Sequence, residues 1–220
     1  MTARTGDSGE RAGRGELRRA GGGLEFLKPS GDAIARSPME RQALAAGARF
    51  EVRDGWNVAV AFEGEAPDAP VWWADVSHLA KLEVNGPHDL VLGQATRTNG
   101  AWWCPVTRDR TLVIGDREAD GLDLTSALAA LTIGGPLARE VFARFCALDL
   151  RPQSLPLHGF RPGSVARTPG YVLREDEDRF LMLFGWALGE YMWTVVVDAA
   201  QSLGGAPVGV DALDRQAARA

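Results

Sequence analysis

Two stretches of this chain echo each other, and the echo constrains the fold more than any single motif does. Asp75-Val76-Ser77 leads into Lys81-Leu82-Glu83-Val84-Asn85-Gly86-Pro87, while Asp123-Leu124-Thr125 leads into Ala130-Leu131-Thr132-Ile133-Gly134-Gly135-Pro136. Each reads as an alternating strand, then a Gly-Pro turn that opens a helix with proline in its first turn, where the missing N–H is not needed. The two spacings differ by one residue. Duplication of a strand-helix unit, giving two similar halves paired in one domain, explains the match; chance likeness of two such junctions is the alternative.

The remaining punctuation supports a mixed domain. Residues 1–23 end in Gly21-Gly22-Gly23 and offer little apolar surface to offset the entropy of ordering, so they read as a disordered tail, with order from Leu24 to about residue 214 and a second short tail over 215–220. Met39 to Leu44 reads as a short helix with Ser37 as N-cap, Pro38 at its first position and Gly47 as its stop. After Pro136, the stripe Leu137, Val141 and Phe145 predicts a helix packed on a sheet. A longer helix is expected from Trp186 to Leu203, with Leu188, Tyr191, Met192, Val195, Val196, Ala199 and Leu203 at helical spacing and Gly204-Gly205 ending it. Val172-Leu173 and Phe180 to Phe184 read as strands joined by Arg174-Glu175-Asp176-Glu177-Asp178-Arg179, a solvated hairpin tip or, less simply, an acidic metal site. Strands and helices mixed without strict alternation give an α+β class.

Charge narrows the partners. A formal net charge of -5 provides no clustered basic surface for nucleic acid or an anionic membrane. No apolar stretch reaches membrane-spanning length, and the arginines of the first twenty residues lack the apolar run of a signal peptide. The two cysteines, Cys104 and Cys146, form no C-x-x-C pattern, which argues against a disulfide framework or zinc site and fits a cytoplasmic location. Cys146 reads as a buried free thiol.

Conventional catalytic signatures are sparse. The three histidines, His78, His88 and His158, have no metal-ligand spacing. Asp75, Ser77 and His78 suggest a triad, but neighbours in a strand face opposite ways, so Ser77 and His78 do not converge there. Neither a P-loop nor a dinucleotide fingerprint occurs. The tandem pairs Trp72-Trp73 and Trp102-Trp103 stand out, because alternation turns one ring of each pair inward and the other outward. An outward ring stacks on a flat ligand, anchors a protein interface, or is covered by the domain itself.

These residues also resemble a known family. Ser37-Pro38-Met39-Glu40-Arg41, Gly47-Ala48-Arg49-Phe50, Gly55-Trp56-Asn57-Val58 and the segment Asp75 to Pro87 are similar to the opening of the glycine-cleavage T-protein, an aminomethyltransferase. Gly135 to Val141, Cys146 to Leu150, Tyr191-Met192-Trp193 and Asp198-Ala199-Ala200 look more like the gamma subunit of sarcosine oxidase. The resemblance runs from Ser37 to Leu213, with a shortened middle from His88 to Asp120. It implies a duplicated α+β folate-binding-type domain in one-carbon metabolism, without the carboxy-terminal β-barrel of T-proteins. The departures fall on the family's functional positions. The shortened middle offers Asn99-Gly100 where an Asn-Asp pair is expected, Phe180-Leu181-Met182 stands where the pterin-binding glutamate belongs, and Val210-Asp211-Ala212-Leu213 stands where an arginine belongs. Tyr171 alone matches the folate cleft, and it reads equally as a packed aromatic. The resemblance therefore implies a non-catalytic subunit without a cofactor of its own, beside flavin-bearing oxidase subunits, with Trp72, Trp73, Trp102 and Trp103 as interface candidates. A tetrahydrofolate-binding aminomethyltransferase-like protein with a rearranged cleft and a degenerate scaffold module are the other two readings.

Overall fold

A computed structural model describes residues 33–218, within which one compact unit begins at Ile34. The expected tail over residues 1–23 and the onset of order at Leu24 lie outside the described residues. The architecture is α+β. Its central layer is a six-stranded sheet in the order β11 (Phe160–Val165), β12 (Thr168–Asp176), β13 (Arg179–Gly185), β10 (Leu128–Gly134), β4 (Trp72–Asp75) and β14 (Ala206–Pro207). A five-stranded sheet follows the order β6 (Thr96–Thr98), β7 (Ala101–Thr107), β8 (Arg110–Ile114), β5 (Lys81–Asn85) and β9 (Leu122–Asp123), and β1 (Ala35–Arg36), β3 (Trp56–Phe62) and β2 (Ala48–Arg53) form a third. The helices are α1 (Glu40–Ala45), α2 (Ala138–Ala143), α3 (Gly189–Gln201) and α4 (Val210–Ala217).

Period-two alternation assigns the central sheet's side chains to two cores. Ile133, Leu131, Phe180, Met182, Phe184 and Trp73 face the helix side, with Phe142, Met192 and Trp193. Ala130, Leu173, Leu181, Leu183 and Trp72 face the other sheets, with Val60, Trp102 and Leu213. The Trp72-Trp73 pair is thus split between the faces as alternation requires, but both faces are covered. Trp72 and Trp73 are only 5% and 3% exposed, which removes them as interface anchors. Gly134 is required beneath Trp72, since a β carbon there would lie 2.2 Å from the indole ring.

The sequence echo is a pair of matching hydrogen-bonded corners. Asp75 Oδ1 accepts from Ser77 N at 2.9 Å, and Asp123 Oδ1 accepts from Thr125 N at 2.8 Å. Each hydroxyl then serves the other stretch. Ala130 N donates to Ser77 Oγ and Lys81 N donates to Thr125 Oγ1, both at 3.1 Å. The residue before each hydroxyl closes the exchange, with Val76 N donating to Ala130 O and Leu124 N to Lys81 O. Lys81 is fully buried, its Nζ donating to Ser77 O at 2.7 Å. Ser77→Ala leaves the buried Ala130 N–H without its acceptor and is expected to cost about 1–3 kcal/mol, read from urea unfolding.

Local differences from the sequence reading have physical causes. Helix α1 runs from Glu40, and in the turn before it Ser37 accepts Met39 N–H on its hydroxyl, as an N-cap does, and Glu40 N–H on its carbonyl. Pro136 precedes α2 as expected, but Pro87 opens no helix: residues 87–91 run as a loop, so only the second of the two stretches leads into a helix. Helix α3 is preceded by a 3-10 turn over Trp186–Leu188, and Tyr191 lies 46% exposed, outside the apolar stripe. Cys146 is half-buried, whereas Cys104 is fully enclosed. At the other end, α4 continues to Ala217 through the boundary expected at residue 214. No helix among the described residues is long and apolar enough to cross a membrane.

Candidate functional site

The central and five-stranded sheets meet α4 around a cleft of about 440 Å³, lined by His78, Arg97, Trp102, Glu175, Arg179, Leu181 and Leu213, among others. Glu175 is its focal group. It lies in the hairpin run read as solvated, yet Arg174 is buried, and Glu175 falls at a register shift between β12 and β13, where pairing passes from Arg174 to Asp176. Glu175 keeps the face of Tyr171 and Leu173 and enters the cleft with its side chain 13% exposed. Its Oε1 accepts from Trp102 Nε1 at 3.2 Å, and its Oε2 accepts from Thr132 Oγ1 at 3.2 Å and Arg179 Nε at 3.0 Å.

The surrounding groups make the cleft polar on one wall only. Trp102, 6% exposed, takes His158 edge-on at 5.0 Å and the Arg97 guanidinium over its ring at 5.4 Å. Leu181, Val210 and Leu213 form the apolar wall, standing at the positions where the family resemblance led one to look for a glutamate and an arginine. Burial, reinforced by the positive charges of Lys81 and Arg117, lowers the His78 pKa to about 4, so that ring is neutral at pH 7. Burial likewise lowers Lys81 to about 8 and raises Asp75. Asp75, Ser77 and His78 do not form a relay, since Asp75 and Ser77 spend their bonds on the corner described above.

Other expected site residues lie elsewhere. Tyr171 is stacked on Phe160 at 5.4 Å, and it lines a separate, largely apolar groove with Pro162, Phe184 and Leu188. Tyr171 is half-buried, and the groove it lines, of about 760 Å³, is separate from the cleft around Glu175. Trp102 is covered by the cleft wall and withdrawn from any interface, leaving only the half-buried Trp103 of the four tryptophans. Asn99 and Gly100, both at positive φ, form the turn between β6 and β7. Among the described residues, no cluster of three or more His, Cys, Asp or Glu side chains is arranged to hold a metal.

Comparison with known proteins agrees with this architecture. No family model matches the chain. It is 25% identical over 231 residues to an aminomethyltransferase from Picosynechococcus sp. (strain ATCC 27264 / PCC 7002 / PR-6), covering 82% of this chain and 62% of that relative. Among solved structures, glycine cleavage system aminomethyltransferase T from Bartonella henselae superposes with a TM-score of 0.64 and 17% identity, over 81% of this chain and 60% of that one. In sequence the chain is similar to an aminomethyltransferase, and in fold to aminomethyltransferase T. A chain of heterotetrameric sarcosine oxidase from Corynebacterium sp. U-96, solved in complex with pyrrole 2-carboxylate, shares the same fold at a TM-score of 0.61 and 18% identity, over 79% of this chain and 98% of that one. The likeness read from the sequence is thus found again in sequence and in fold. The central carboxylate of the cleft, Glu175, has partners on both oxygens.

Proposed function

We propose that this chain is a non-catalytic subunit, similar to the gamma subunit of sarcosine oxidase, that packs against flavin-bearing partners in a cytoplasmic amine-oxidising complex of one-carbon metabolism. The observation that carries the reading is the state of Glu175. Recognition of a pterin's amino-pyrimidine edge requires a carboxylate able to accept two parallel N–H bonds. A carboxylate offers about four lone-pair sites, and Trp102, Thr132 and Arg179 occupy three of them across both oxygens. Asp176 and Asp214, at the mouth of the cleft, are exposed to water, and Asp176 already accepts from Glu177 N. Glu175 consequently braces the cleft in place of binding a ligand.

Two further features support this reading. The matching corners around Ser77 and Thr125 are what a duplicated domain would retain after its functional positions had diverged. Val91, Leu92 and Leu157 are 71%, 50% and 43% exposed, and their loops are joined by Gln94 Nε2 donating to Leu157 O and Ala95 N donating to His158 O. A held apolar patch of this kind suits a protein partner. An affinity-tagged chain purified from its own cells should bring down flavoproteins, and Leu92→Asp should lose them with an unchanged circular dichroism spectrum. Recovery of the wild-type chain alone, as a monomer, would remove the proposal.

The second reading is a tetrahydrofolate-binding aminomethyltransferase-like protein. It is favoured by the size of the cleft, which falls in the usual range for small-ligand sites, and by the indole at its wall.

A further inference from the structure

We propose that Asn99 is a site of self-modification, a deamidation that places a new negative charge at the mouth of the cleft around Glu175. The chain holds two Asn-Gly dipeptides, Asn85-Gly86 and Asn99-Gly100. A following glycine hinders attack of its own nitrogen on the asparagine side chain least of all residues, so the sequence ranks the two alike. The structure separates them. Asn85 ends β5, paired with Arg110, and Gly86 N donates to Asp109 O at 2.8 Å. Asn99 and Gly100 form the turn between β6 and β7, closed by the Thr98–Ala101 pair, and both are exposed. Neither the Asn99 side-chain amide nor the Gly100 N–H has a hydrogen-bond partner among the described residues.

Backbone geometry decides which nitrogen reaches its target. Asn99 at φ 51° and Gly100 at φ 84° make a type I′ turn. The other favoured hairpin turn, type II′, keeps φ of the first residue positive and moves its ψ to about −120°. A flip of the single peptide between Asn99 and Gly100 interconverts the two with the closing pair intact, and glycine accepts both conformations. At that ψ, Gly100 N eclipses the Asn99 Cα–Cβ bond and lies within reach of Cγ for closure of a five-membered ring. The extended backbone of a strand, with ψ of about +135°, turns Gly86 N away from the Asn85 side chain. In the reaction, Gly100 N bonds to Asn99 Cγ, the Cγ–Nδ2 bond breaks, and ammonia leaves with the proton that Gly100 N gives up. Solvent water then opens either carbonyl of the imide, giving aspartate or isoaspartate, with no oxidant or reductant. Gly100 and Arg97 both line the cleft, so the new carboxylate arises two residues from the guanidinium that covers Trp102.

The test is peptide mapping by mass spectrometry of the folded full-length chain held in mildly alkaline buffer. Trypsin separates the two sites, since Asn85 falls in residues 82–97 and Asn99 in residues 98–108. The Asn99 peptide is expected to gain one mass unit roughly tenfold faster than the Asn85 peptide, whose strand must first open. In concentrated urea the two rates are expected to converge, because only the shared dipeptide then matters. Asn99→Asp repeats the Asp54-Gly55 turn of the β2–β3 hairpin, which has similar positive φ values, so it is expected to fold and to abolish the mass gain of this peptide. Equal rates at the two sites in the folded chain, or an Asn99 peptide that converts in urea alone, would overturn the proposal.

Discussion

Replacing Glu175 by alanine is expected to cost about 3 kcal/mol of folding free energy, a fall of roughly 6–12 °C in Tm for a domain of this size. The loss comes from what the carboxylate leaves behind. Trp102 Nε1 and Thr132 Oγ1 belong to buried residues and lose an acceptor, while Arg179, 30% exposed, recovers part of its loss in water. Glu175→Gln keeps one oxygen but turns an amide N–H₂ toward one set of donors, so an intermediate loss of about 1–2 kcal/mol is expected. Urea unfolding with an unchanged m-value checks both. A change below about 0.5 kcal/mol for Glu175→Ala would show that the carboxylate is solvated and open to a ligand, against the bracing role assigned to it.

Acidification should act through His78. Its folded pKa of about 4 lies below the ordinary value of 6.5, so between these limits the unfolded chain binds a proton that the folded chain refuses. The stability it contributes is therefore fully present above pH 6.5 and is lost as pH falls through 4, with about 2 kcal/mol gone between pH 7 and pH 5. Asp75 acts in the opposite sense in acid, because burial raises its pKa and protonation relieves a buried charge. The difference between wild type and His78→Gln, followed by denaturant unfolding at several pH values, isolates the histidine. Parallel curves for the two proteins would contradict the buried, neutral assignment. Lys81 contributes nothing to this window; its pKa of about 8 makes stability rise as pH goes from 8 toward 10.5.

Much of the fold was legible because its signals are local and periodic. The apolar runs Val172-Leu173 and Phe180 to Phe184 gave β12 and β13, and the 3.6-residue stripes gave α2 and most of α3. The Asp-x-Ser and Asp-x-Thr echo marked two equivalent corners, although their exchange of hydroxyl bonds depends on strands far apart in sequence. The site was harder to read. Glu175 sits among five other charges, and composition outweighed the alternation that places it on the face of Tyr171 and Leu173. The tryptophan pairs were split correctly between faces, but coverage of the outward ring is a tertiary fact: the central sheet has a core on each side. Pro87 carried the same helix-start signal as Pro136, and the chain there instead folds back on the β7–β8 hairpin through Gly86 and His88. A proline permits a helix start; the apolar stripe behind it decides whether one forms.

The most direct test of a cleft without ligand function is calorimetric titration of the purified, folded chain with tetrahydrofolate in the absence of any partner. Heats of dilution alone are expected, for the wild type and for Tyr171→Ala alike. A saturable micromolar binding isotherm that disappears in Glu175→Gln would contradict the subunit reading and make the cleft a folate site.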